Sequence, residues 1–288
     1  ADDYELIAYE FGAEMARQHA RYAEVTFSPS THYDALGLSF DTFFGGLTRG
    51  RLRARADFGV EIRWVFDIVR GIEDGTRNRR LAEYVTAVAI EGMDDGVVAL
   101  GLGGAEVGYP PERFAVFFER ARAAGLHSAP HAGETVGPAS VWGAVRTLGA
   151  ERVGHGVRAI EDPALVAHLA AERIPIEVCP TSNLCLGVYP HLAAHPLPRL
   201  YAAGVPLTIN SDDPPLFNTT LNQEVALLAD AFALDLATIN DILLNGVRQS
   251  FLPPEEKRET EASFRAEMAR LQRNLSLAPG AASEPAND

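Results

Sequence analysis

Val205-Pro206-Leu207-Thr208-Ile209-Asn210-Ser211-Asp212-Asp213-Pro214 reads as a short apolar strand that ends on two adjacent carboxylates. Such a pair at the end of a buried strand is unfavourable unless a metal ion or a hydrogen-bonding ligand compensates it. Two other strand-like runs also end in residues able to bind a ligand. Leu126-His127-Ser128-Ala129-Pro130 leads into His131-Ala132-Gly133-Glu134, and Glu151-Arg152-Val153-Gly154 leads into His155-Gly156. Strand ends bearing His, Glu, His and Asp-Asp point to one shared metal site.

Working outward from these runs, strands and helices alternate along the chain. Strand-like segments are predicted at 23–27, 61–69, 97–102, 126–130, 152–154, 175–178 and 206–210. Helical stretches fall between them at 41–57, 80–91, 111–124, 139–148, 163–172 and 196–203. Pro111, Pro138 and Pro163 mark helix starts, and Gly59, Gly125 and Gly204 stand just past helix ends. This alternation means parallel βα units, seven of them, at roughly 25–35 residues each. Parallel strands buried on both faces fit a (β/α)8 barrel or a doubly wound sheet. The polar residues gather at the C-terminal ends of strands, where barrel active sites lie. The nearest approach to a dinucleotide loop is Gly101-Leu102-Gly103-Gly104-Ala105-Glu106, which has Glu106 where the third glycine is needed. The expected fold is therefore an α/β TIM-type barrel, as one domain over residues 1–275. Helices are expected at 219–232, 235–245 and 254–275, and a disordered Pro/Ala/Ser-rich tail at 276–288.

Composition narrows the function classes. A net charge of -14 over 288 residues disfavours binding to nucleic-acid phosphates or to anionic membrane surfaces. No apolar run approaches the ~20 residues of a membrane span, and no leader pattern opens the chain, so a cytoplasmic location is expected. Cys179 and Cys185 form no CxxC and are expected to be two buried, reduced thiols. Composition does not determine the oligomeric state.

The motifs His131-Ala132-Gly133-Glu134, Val153-Gly154-His155-Gly156 and Ser211-Asp212-Asp213-Pro214, in this order and at these separations, resemble the adenosine deaminase family of zinc-dependent barrel hydrolases. Tyr22-Ala23-Glu24-Val25-Thr26-Phe27-Ser28-Pro29, Gly104-Ala105-Glu106, Glu177-Val178-Cys179-Pro180-Thr181-Ser182-Asn183 and Ser250-Phe251-Leu252-Pro253 support the resemblance, which runs to about residue 275. It implies hydrolytic deamination at purine C6 by zinc-activated water, with one zinc per chain. His131 and Asp212 would be zinc ligands, since imidazole nitrogen and carboxylate oxygen both suit that ion. Glu134 would protonate ring N1, and its pKa should be raised in the closed pocket. His155 would orient and deprotonate the attacking water. Asp213 would share a hydrogen bond at N7, and the Gly104 N–H would reach N3, with glycine at 103 and 104 letting the base approach the backbone. The implied partner is a small purine nucleoside or analogue.

The chain departs from the family at its start. Members open with a strand bearing a His-x-His pair that supplies two further zinc ligands. Here Ala1-Asp2-Asp3-Tyr4 begins a helix that leads into the second strand, and the first histidines, His19 and His32, form no such pair. The barrel's first strand is thus expected to be missing from this chain, leaving two unpaired sheet edges. Either a part of the sequence precedes it, or this is a relative that lost its metal.

Each residue also has a structural reading. His131 could be a core histidine, Glu134 a solvated turn carboxylate and His155 a turn cap. Asp212 and Asp213 could cap a helix, and Gly104 could be a plain turn glycine. His127 is expected to be a core histidine near the barrel floor, and His168, His191 and His195 to be structural or solvated. Cys179 is expected to pack in the core, and the 49–55 arginine cluster to form a solvated helix face. Three functions follow: an adenosine or 2′-deoxyadenosine aminohydrolase, the same chemistry on adenine or 6-amino-6-deoxyfutalosine, and a non-catalytic purine-binding relative. By resemblance, family members that use adenine tend to carry Asp before the His-Gly pair. Gly154 at that place leans toward a nucleoside.

Overall fold

Apolar strands of three to ten residues, each followed by a helix, order themselves into one parallel sheet in the computed structural model, which describes residues 1–277. The tail expected to be disordered lies, from residue 278 on, outside the described residues. The elements are α1 (Asp2–Arg17), β1 (Tyr22–Phe27), α2 (Phe40–Phe58), β2 (Glu61–Arg70), α3 (Gly75–Glu91), β3 (Val97–Gly104), α4 (Ala115–Ala124), β4 (His127–Ala132), α5 (Pro138–Thr147) and β5 (Val153–His155). They continue as α6 (Pro163–Ala171), β6 (Ile176–Val178), α7 (Pro180–Cys185), α8 (Leu197–Ala202), β7 (Leu207–Ile209), α9 (Pro214–Phe217), α10 (Leu221–Asp230), α11 (Leu236–Arg248) and α12 (Pro254–Leu277). The seven strands pair in chain order, so β1 and β7 are the edges of a curled barrel sheet. This is the TIM-type fold expected, with its first strand absent from the described chain.

The punctuation read in the sequence does what its chemistry requires. Pro111 opens a 3-10 turn, and Pro138 and Pro163 open α5 and α6. There the missing N–H is one that a helix start leaves unpaired anyway. Gly59, Gly125 and Gly204 all take positive φ (70°, 104° and 84°) at helix ends, a backbone that a side chain would strain.

Outside the sheet, two apolar clusters seat the helices. Phe43, Phe66, Phe114 and Phe118 are fully buried on the β1–β3 side, while Leu165, Leu169, Ile176 and Leu207 are buried on the β5–β7 side. Inside the barrel Val65, Ala99 and Ala129 form a small layer capped by Phe251. Below it, the buried Arg152 donates to Glu24 of β1 at 2.5 Å, pairs with Glu177 of β6 at 2.8 Å and lies 3.8 Å from the Phe251 ring centre. The Phe251 N–H donates to Glu24 Oε1 at 2.6 Å. One guanidinium thus ties β1 to the opposite side of the curl and separates two carboxylates that would otherwise repel.

Three expectations need correction. His127 does lie at the floor, but as the first residue of β4 it sits on the rim. Its side chain is 41% exposed, paired with Glu151 at 2.9 Å and stacked on Phe251, so it is not a core histidine. Arg51 leaves the solvated arginine face of α2, being buried against Glu61 at 2.9 Å. Cys185 is exposed because it ends the short helix α7, whereas Cys179 is buried; neither forms a disulfide. Among the described residues no helix is long and apolar enough to cross a membrane.

Candidate active site

The C-terminal ends of β4, β5, β6 and β7 bring the polar strand ends together. His131 is the penultimate residue of β4 and lies in register with Gly154 of β5. A Cβ on Gly154 would stand 2.2 Å from His131 Cδ2, so this glycine makes the space that the imidazole occupies. The His131 and His155 rings meet edge to face, 4.9 Å apart.

His155 is buried and holds a positive φ of 58°. Asp212, at the end of the β7 run, holds a positive φ of 54°. Two non-glycine residues in this costly conformation are the kind of strain found at functional sites. Around His155, Nδ1 is 3.6 Å from Glu134 Oε1 and Nε2 is 3.9 Å from Asp212 Oδ2. Asn183 Nδ2 stands 3.4 Å from Nδ1, and Asn183 is itself held by the buried His195 at 3.1 Å. Burial, with His131 beside it, pushes the His155 pKa down to about 3, so its imidazole is neutral.

Glu134 is the opposite case. Its side chain is 19% exposed, and its buried Oε1 has no hydrogen-bond partner. Burial first, then the charges of Asp212 and Glu106, push its pKa up to about 7 against the pull of Arg70. A carboxyl that keeps its proton near neutral pH is an acid in waiting. Asp213 lies next to Asp212 at the start of α9 but makes no side-chain cap, and burial and the Asp212 charge raise its pKa.

The residues present suit a zinc ion. The donors that converge here, a ring nitrogen of His155, Cys179 Sγ and a carboxylate oxygen of Asp212 within 4.8 Å of one another, include Asp212 of the expected pair but not His131, which stands beside them against the His155 ring. Nitrogen, sulfur and carboxylate oxygen are the donors zinc takes. Cys179 was read only as a packing residue, yet it faces this cluster.

Gly104 sits where β3 ends, and its glycine identity has a structural cause besides the one expected. Its φ is 74°, and a Cβ would stand 2.5 Å from the Arg70 carbonyl oxygen of β2. At Gly103 a Cβ would meet Asp67 Oδ2 at 2.3 Å. Neighbouring β2 demands both glycines.

Sequence reasoning missed Glu106 and Arg70. The buried Glu106 carboxylate accepts the backbone N–H groups of Gly133 (2.6 Å), Glu134 (3.2 Å), Thr135 (2.8 Å) and Val136 (2.8 Å). Burial pushes its pKa up, but the Ser140 hydroxyl and then the N–H groups of Val136, Gly133 and Thr135 outweigh that and lower it. Arg70 donates to the Gly103 and His131 carbonyls, and its buried Nη1 has no partner. The only signal for Glu106 was its place in the Gly104-Ala105-Glu106 motif.

The family model described as adenosine deaminase matches residues 1–264. An aminodeoxyfutalosine deaminase of Streptomyces coelicolor is 46% identical over 253 residues, covering 87% of this chain and 64% of the relative, so the chain spans under two thirds of that protein's length. An adenine deaminase of Chelativorans sp. is 40% identical, over 87% of this chain and 75% of the relative. Among solved structures, an amidohydrolase from Burkholderia ambifaria with bound zinc superposes with a TM-score of 0.88 at 26% identity, over 96% of this chain and 76% of that one.

Proposed function

The chain belongs to the adenosine deaminase family, and from that premise we propose that it hydrolytically deaminates a 6-aminopurine nucleoside, 6-amino-6-deoxyfutalosine ahead of adenosine and 2′-deoxyadenosine. The observation that carries the reading is Glu134. It is a half-buried carboxyl with a free oxygen and a pKa raised to about 7, beside a neutral histidine and the Asp212 carboxylate.

In this reading His131 and Asp212 would hold a zinc ion, which when bound would supply Lewis-acid activation of water. Glu134 gives its proton to ring N1 as the water oxygen adds to C6, which becomes tetrahedral. One proton of the water passes, through its hydrogen bond to His155, to the amino group, the C6–N bond breaks and ammonia leaves, and the water's second proton restores Glu134 as the 6-oxopurine forms. His155, neutral in its buried site, accepts a hydrogen bond from the attacking water and orients it. With a pKa near 3 it serves as an orienting acceptor more than as a strong base. Asp213 shares a hydrogen bond at N7, and the Gly104 N–H reaches N3.

Two observations support the order of substrates. The aminodeoxyfutalosine deaminase relative is 46% identical and the adenine deaminase relative 40%. Gly154 precedes His155, and its missing Cβ is the space taken by His131. An aspartate there would force the imidazole elsewhere, which speaks for a nucleoside over free adenine.

The test is ammonia release by the zinc-supplemented full chain from 6-amino-6-deoxyfutalosine, adenosine, 2′-deoxyadenosine and adenine. The highest kcat/KM is expected for the first. Preference for adenine refutes the substrate order. Tight purine binding by zinc-loaded protein without ammonia release refutes catalysis and favours a binding protein.

A further inference from the structure

One carboxylate in this site receives far more hydrogen bonds than it offers substrate. Glu106 follows β3 and turns its side chain under the loop after β4. Oε1 accepts from Gly133 N–H, while Oε2 accepts from Glu134, Thr135 and Val136 N–H and from the Thr135 hydroxyl at 3.1 Å. Four consecutive N–H groups converging on one anion form a backbone nest. The loop is held from its other side too: the Arg158 N–H donates to the Gly133 carbonyl at 2.9 Å, and Arg158 Nη1 to that of Thr135 at 2.5 Å. Gly133 itself turns at a φ of 75°, where a Cβ would strike Val141 at 2.3 Å. The loop therefore has one tight shape, and Glu134 is the residue it presents.

We infer that Glu106 is the positioning residue of this site: its carboxylate gathers the N–H groups of residues 133–136 and so aims the Glu134 side chain at the substrate ring. The inference rests on the proposed deamination for its kinetic consequence. Its structural half, an anion held by the loop's own amides, stands without it. Neither oxygen can be replaced by an amide nitrogen, because both already accept from N–H donors. Glu106→Gln sets an NH2 against those donors whichever way it turns.

The experiment uses Glu106→Ala and Glu106→Gln in the full, zinc-supplemented chain. Glu106→Ala leaves a small hole lined by four N–H donors, which formate can enter. A loss of about 100-fold in kcat is expected, the size of effect that misplacing a reacting group causes, with KM and zinc content close to wild type. Formate should restore kcat saturably, and neutral formamide should not. Formate should also return hydrogen-exchange protection to the 133–136 amides. Should Glu106→Ala fail to fold, Glu106→Gln carries the test through the same split of kcat from KM.

A wild-type kcat in either variant overturns the inference. So does a parallel loss of zinc, KM and kcat, which would mark Glu106 as part of the general scaffold. Formate that binds without restoring kcat overturns it as well. If wild-type protein releases no ammonia from any 6-aminopurine, the deamination reading fails separately. The nest is then decided by amide protection alone: protection by formate and not by formamide upholds it, and no protection overturns it.

Discussion

Replacing Glu134 by glutamine should make the protein more stable and less active, and the two effects should part company with pH. The structure supplies the size. The Glu134 carboxyl moves from its ordinary 4.5 to about 7, chiefly through burial and then through the nearby Asp212 and Glu106 charges. At ~1.4 kcal/mol per pH unit, ionising it in the folded state costs about 3 kcal/mol. With its side chain 19% exposed, part of that is screened, leaving about 2 kcal/mol at pH 8. The sign follows from linkage. The folded state keeps a proton that the unfolded chain releases between 4.5 and about 7, so this contribution to stability is full below 4.5 and is lost as pH rises through about 7. Glutamine keeps the shape and carries no charge at either end of that window.

For chelator-stripped protein, Glu134→Gln should therefore raise Tm at pH 8 by about 4–8 °C, given the 2–4 °C per kcal/mol usual for chains of this size. At pH 5 most of the gain should vanish. In zinc-supplemented protein the same substitution should lower kcat by about 10²–10⁴-fold, the range for removing a general acid. Wild-type activity should fall as pH rises past the raised pKa of the Glu134 carboxyl, because the acid form is then depleted. Scanning calorimetry at the two pH values and a steady-state ammonia assay suffice. A Tm gain equal at pH 5 and pH 8 would show that Glu134 is not a desolvated carboxyl. Near-normal turnover would remove it from the chemistry.

Other outcomes follow from single contacts. His131→Ala should lose bound zinc and activity together; stoichiometric zinc retained on elemental analysis would take His131 out of the ligand set. Gly154→Ala places a Cβ 2.2 Å from the His131 ring and should cost about 1–3 kcal/mol in denaturant unfolding while weakening zinc binding; unchanged zinc affinity would contradict the steric argument. Arg152→Met leaves Glu24 and Glu177 facing each other without their cation and should destabilise the fold by about 3–5 kcal/mol. Adding Glu24→Gln and Glu177→Gln should recover part of that loss, and a triple variant no more stable than the single one would show that charge is not the cause.

The order of strands, most helix boundaries and the polar ends of the strands that carry His131, Glu134, His155 and Asp212 were legible from the sequence, although α3 starts five residues earlier than expected and the short helices α7 and α9 were not foreseen. Each depends on residues close together in the chain: apolar runs, proline at helix starts, glycine past helix ends, polar residues where a strand stops. The tertiary structure alone decided what each of those residues touches. Glu106 holds amides nearly thirty positions later because β3 and β4 are neighbours in register. Gly154 is small because His131 lies opposite it on the next strand, and Gly104 because the Arg70 backbone passes beside it. Cys179 joins His155 and Asp212, and Arg152 crosses to Glu24, only once the sheet curls. Local pattern determines which element forms and where it ends. Contacts across strands depend on register and curvature, which emerge only when the packed core sets how the elements meet.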